Sequence, residues 1–106
     1  MTTQDKLTPE ILIAAGYVKD GNDSFEVIDD INDDYKNYRR ISLKISDDDC
    51  QLKTIFRKYA NSNDYLVEIE GKYKQKEIKI PASRQITVVK FNMLLDIVKL
   101  NKFQIK

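Results

Sequence analysis

The apolar positions of this chain change period along its length, and each change marks an element. In "LTPEILIAAGY", Leu7, Ile11, Leu12 and Ala15 fall on one side of a 3.6-residue turn. Thr8 stands where an N-cap hydroxyl belongs, Pro9 at the first helical position, Glu10 in the first turn and Gly16 just past the end. The spacing therefore predicts a short helix closed at both ends, with Leu7 stapling onto its first turn.

Period two then takes over. "DGND" places turn-forming residues between Tyr17-Val18 and Phe25–Val27, which reads as a hairpin. Ile41, Leu43 and Ile45 alternate with Ser42 and Lys44, the pattern of a half-buried strand. Leu66, Val67 and Ile69, followed by Ile78 and Ile80, form the arms of a further hairpin that turns over Gly71–Gln75 and ends at Pro81.

The segment "SDDDCQLKTIFRKYANSN" admits two readings. A helix collects Leu52, Ile55, Phe56 and Tyr59 on one face, with Ser46 and Asp49 as a capping box and Asn61 as a stop. A strand draws on Thr54, Ile55, Phe56 and Tyr59 but alternates poorly. The helix accounts for more of the residues, and residues 47–60 stay open between the two. From Thr87, a candidate cap, the helical period returns through Val88, Phe91, Leu94, Leu95, Val98 and Lys102, and "KFQI" reads as a short closing edge strand. The expected fold is a single α+β domain over residues 1–106. It has an antiparallel sheet of about four to five strands, on which a short N-terminal helix and a longer amphipathic C-terminal helix pack.

Composition narrows the class. A chain of 106 residues has room for one core, and 42% apolar residues with 13 isoleucines argue for a packed fold. Apolar runs such as "ILIAAG" and "MLL" fall far short of the roughly 20 residues of a membrane helix, so no membrane association is expected. "MTTQDKLTPE" lacks the basic and then apolar layout of an export signal, and a lone Cys50 permits no internal disulfide. A cytoplasmic protein is the resulting expectation. The net charge of +1 conceals −6 in residues 1–50 and +7 in residues 51–106, an asymmetry able to steer a charged partner.

Candidate chemistry is sparse. The acidic loop "IDDINDDY" fits Asp30, Asn32 and Asp34 to a calcium loop, yet Tyr35 replaces the required glycine and Ile41 the bidentate glutamate. There is no histidine, no second thiol for zinc, no glycine-rich phosphate loop and no nucleophile elbow. No metal, cofactor or catalytic residue is expected, and Cys50 reads as structural. Glu68, Glu70 and Glu77 are expected to face Lys76 and Lys79 in cross-strand pairs. Binding is the remaining class. Tyr35, Tyr38, Arg39 and Arg40, directly after the acidic loop, have the composition of an interface patch. The alternative is RNA or single-stranded DNA binding through Arg57, Lys58, Tyr59, Lys72, Tyr73, Lys74 and Lys76, where lysines neutralise phosphates and tyrosines stack on bases. Lysine outnumbers arginine 14 to 4, which weighs against bidentate base recognition.

"LTPEILIAAGYVKD", strands ending in "IKIP", and the closing "VVKFNMLLDIVKLNKFQI" together resemble the layout of small uncharacterised proteins carried by phages and mobile elements of gut and related bacteria. Residues 47–63 have no counterpart in that layout. The resemblance implies an accessory binder, such as an inhibitor of a bacterial defence complex of the anti-CRISPR kind, directed at a larger host protein or ribonucleoprotein. A minor virion or structural component is a further alternative.

Overall fold

Both helices open on a threonine. In the computed structural model, which describes residues 5–21, 24–27, 37–59 and 62–106, helix α1 spans Pro9–Ala14 and helix α2 spans Val88–Ile97. Thr8 Oγ1 accepts the Ile11 N–H at 3.3 Å, and Thr87 Oγ1 accepts the Lys90 N–H at 3.1 Å. Helix α1 closes at Gly16, whose φ of 104° lets the Gly16 N–H reach the Ile13 carbonyl and the Tyr17 N–H reach that of Leu12. These caps are the ones expected.

The strands are β1 (Val18–Lys19), β2 (Ser24–Val27), β3 (Asn37–Ser46), β4 (Cys50–Tyr59), β5 (Leu66–Tyr73) and β6 (Lys76–Arg84). They make one open antiparallel sheet in the order β1-β3-β4-β5-β6, with β2 also paired to β3. The expected hairpin between Tyr17-Val18 and Phe25–Val27 is not formed. Both segments lie along the same edge of β3, where Val18 pairs with Lys44, Ser24 with Arg40, and the Asp20 N–H donates to the Ser42 carbonyl at 2.8 Å. The chain therefore runs in the same direction in β1 and in β2.

Residues 50–59 are strand, which corrects the helical reading of 47–60. Leu52, Thr54 and Phe56 are fully buried on the helix-facing side, while Gln51, Lys53 and Arg57 alternate with them toward the other side. Ile55 spoils the alternation because it too is buried, at 2% exposure, on the opposite face between Ser42 and Glu68 in register. Ladders to β3 and β5 on both sides outweigh the local helical pattern. Asp49, assigned to a capping box, lies instead in the β3–β4 turn. Asp47 Oδ1 accepts the N–H groups of Asp49 at 3.1 Å and Cys50 at 2.9 Å.

The β5–β6 hairpin turns over two residues, Lys74 and Gln75, with φ of 47° and 71°. Gly71 therefore sits inside β5 and not in the turn. Strand β6 runs through Pro81 to Arg84, beyond its expected end. It is an edge strand whose register slips between Val67 and Ile69, where a residue lacking an N–H disturbs little of the ladder. "KFQI" forms no edge strand. Asn101–Phe103 make a 3-10 turn, and Asn92 clasps the tail by donating to the Ile105 carbonyl and accepting its N–H, both at 2.9 Å. Lys102 accordingly lies off the helix.

One face of the sheet carries Ile41, Leu43, Leu52, Phe56, Val67 and Ile69 into a core shared with Leu7, Leu12, Phe91, Leu95 and Leu100. Tyr17 adds its ring edge-on to Phe91 and donates its hydroxyl to the Phe103 carbonyl at 2.8 Å. Burial pushes the pKa of this phenol well up. Cys50 is buried in the same core, in line with its structural reading. No helix among the described residues is long and apolar enough to cross a membrane.

Candidate functional site

Antiparallel pairing of β3 with β4 brings the start of one strand against the end of the other, and with them two residue sets that lie far apart in sequence. Tyr38 is in register with Tyr59, Arg39 with Lys58, and Arg40 with Arg57. Three of the four residues of the interface patch and three of the nucleic-acid candidates thus occupy one corner of the sheet. Tyr35 and the aspartates of the acidic loop lie outside the described residues.

The corner is dense in cations. Like charges directly opposite each other on a ladder repel, and here two consecutive pairs are both cationic. Arg57 is held on its other side by Glu68, Nη1 to Oε2 at 2.9 Å, and Lys79 reaches the same carboxylate at 3.8 Å. Lys58 lies over the Tyr65 ring at 5.7 Å, and that ring packs edge-on against Phe56 at 5.4 Å. Arg84, paired in register with Leu66, reaches Asp64 at 3.4 Å, and Lys6 reaches the same aspartate at 3.1 Å. Arg39 is exposed, whereas Arg40, Arg57 and Lys58 are half-buried.

The remaining nucleic-acid candidates are at the far end of β4 and β5, where Cys50 pairs with Tyr73 and Gln51 with Lys72. Arg57 and Lys58 are therefore separated from Lys72, Tyr73, Lys74 and Lys76 by most of a strand. Lys72, Lys74 and Lys76 are exposed, and Lys74 lies over the Tyr73 ring at 5.5 Å. The Lys74 N–H of this tip donates to the Asp49 carbonyl of the β3–β4 turn at 3.0 Å, and an open cleft of about 720 Å³ beside them is lined by Lys44, Lys72 and Lys74 together with Asp47, Asp48 and Asp49. Carboxylates beside the lysines offset the field that a phosphate chain would follow.

Three aspartates fasten peripheral segments to the sheet. Asp47 accepts from Lys102 at 2.6 Å; this bond first, then the two turn N–H groups, holds its carboxyl below the usual range, and Lys102 is raised in turn. Asp20 bonds Lys53 at 3.2 Å and Lys44 at 3.5 Å, with Lys53 the larger cause of its lowered pKa. Asp64 is lowered chiefly by its bond to Lys6 and then by Arg84. A carboxyl whose folded pKa is depressed stabilises the fold above its unfolded pKa, and that stabilisation is lost as pH falls through the folded value. The melting temperature should therefore be level from roughly pH 5 to 8 and fall below about pH 4. Calorimetry across that range checks it, and a melting temperature unchanged down to about pH 3 would contradict it.

The expected cross-strand pairing is seen at Lys79, which meets Glu68 and is in register with Glu70, whereas Lys76 is in register with Tyr73 and Glu77 with Lys72. Sequence reasoning missed the second partner of Glu68, Arg57, and the part played by Tyr65. Nothing local signals either one, because both depend on the β4–β5 register. No group of three or more His, Cys, Asp or Glu able to hold a metal ion occurs among the described residues. Comparisons of the chain with protein-family models, with curated proteins and with solved structures found no match.

Proposed function

We propose that the chain is a small non-enzymatic interaction protein that docks on an acidic surface of a larger host protein or ribonucleoprotein through the β3–β4 corner, and that this docking inhibits a bacterial defence complex. The observation that carries the docking surface is the register that sets Tyr38, Arg39 and Arg40 against Tyr59, Lys58 and Arg57 at one corner, with the Arg39/Lys58 pair on the helix-side face of the sheet and the Arg40/Arg57 pair on the other. Tyrosine and arginine supply large, orientable contact area at interface centres. The inhibitory role rests on the resemblance of the two ends of the chain to phage and mobile-element proteins.

Arg39→Glu tests the docking surface by reversing the charge of an exposed residue there while making its cross-strand pair with Lys58 an opposite-charged one. The variant should keep its circular dichroism spectrum and lose about 30-fold in affinity for the species that the wild type captures from host lysate, an effect of the size seen at arginine hot spots. Nuclease treatment before capture separates a ribonucleoprotein from a protein target. Equal capture by both chains would reject the corner. Binding that falls steeply with salt, and falls again when Lys72, Lys74 and Lys76 are neutralised, would move the site to the hairpin tip and favour RNA or single-stranded DNA.

A further inference from the structure

Helix α2 is apolar on two opposite sides. Val88, Phe91 and Leu95 are buried toward the sheet, while Val89, Met93 and Ile97, spaced four residues apart, are 38%, 53% and 74% exposed on the other side. A helix with an apolar stripe on each of two opposite sides has surface for two partners, and the monomer supplies one. Its charges are also inverted. Lys90 stands in the first turn and Asp96 in the last, with no acid in the first turn and no base in the last. Each charge therefore faces the end of the helix dipole that disfavours it.

We propose that a second copy of this chain covers the stripe, with the two α2 helices packed antiparallel about a two-fold axis at Met93. That arrangement sets Met93 against Met93 and Val89 level with Ile97 of the second copy. Lys90 comes level with the C-terminal turn of the second helix, and Asp96 with its N-terminal turn. Both charges then lie beside the dipole end that favours them, and the two helix dipoles oppose each other. The stripe and its charges are their own complement under this axis, which is the requirement of an isologous dimer. The surface is distinct from the β3–β4 corner.

Three apolar side chains from each copy make an interface at the small end of the specific range, so the dimer should form with a Kd of roughly 10–100 µM. Sedimentation of the full chain from about 2 to 400 µM should show the average mass climbing from 12.4 kDa toward twice that value. Met93→Glu, at an exposed position, should hold the protein monomeric with its circular dichroism unchanged. Lys90→Glu is the sharper variant. It puts an acid at the N-terminus of its own helix, where a lone molecule gains or keeps stability, yet sets that acid beside the C-terminal turn of the second copy. Its association should weaken about fivefold with the melting temperature kept or raised. A wild type that stays monomeric over the whole range overturns the proposal. Association that withstands Met93→Glu also overturns it, and association lost on Met93→Glu but indifferent to Lys90→Glu refutes the antiparallel pairing.

Discussion

Phe56→Ala is expected to lower the unfolding free energy by about 4 kcal/mol, the largest loss of any single substitution considered, and so to shift the melting temperature by roughly 20 °C. Phe56 is fully buried at the centre of the sheet, in register with Ile41 on one side and Val67 on the other. Its ring meets Tyr65 edge-on at 5.4 Å, so truncation removes both buried area and an aromatic contact. Strand neighbours fixed by two ladders cannot move inward to fill the space, which keeps the cost at the upper part of the usual range. Thermal or urea unfolding followed by circular dichroism measures it. A loss below about 1.5 kcal/mol would mean that the site collapses around alanine and that the packing described here is not the packing in solution.

Phe56 also shows how far the sequence could be read. Its burial is expected from either interpretation of residues 47–60, since the helical face and the strand face both contain it. The two readings diverge at Leu52 and Thr54, and there local pattern misleads. Ile55 is buried on the sheet face away from the helices, which breaks the alternation that marks a half-buried strand. Only the ladders to β3 and β5 decide the matter, and these join residues distant in sequence. The caps at Thr8, Gly16 and Thr87 were legible because capping is satisfied within a few residues of the cap itself. "DGND" failed as a hairpin for the opposite reason, since turn chemistry permits a reversal but leaves the choice of edge to β3.

The candidate site divides the same way. Arg39, Arg40, Arg57 and Lys58 could each be picked out by composition, yet their meeting at one corner is a consequence of register. Lys72, Lys74 and Lys76 follow Arg57 and Lys58 closely in sequence. The β4–β5 pairing sends them to the other end, beside the Asp47–Asp49 turn. The exposed stripe of α2 was hidden by the strength of the buried one, because a periodicity search keeps the face that best fits a core.

Gly71→Val provides the second large effect, and its sign opposes strand propensity. Valine favours strands and glycine weakens them, so propensity alone predicts a gain. A Cβ at Gly71 would instead lie 2.8 Å from Leu100 Cδ1, with the Gln51 carbonyl at 3.5 Å and Ile78 Cβ at 3.8 Å. Leu100 is itself fully buried in the core, directly before the 3-10 turn that leads into the tail, so it has little room to swing away. A loss of about 3 kcal/mol is expected, at the upper end of overpacking costs, with Gly71→Ala losing less. The contact can be isolated by pairing the substitution with Leu100→Ala, which opens the space the new side chain needs. The double variant should recover at least about 1 kcal/mol relative to the sum of the single changes, the coupling expected of side chains in direct contact. Additive losses would place Leu100 elsewhere than against β5, and a stabilised Gly71→Val would show that the C-terminal segment does not cover the sheet at this position.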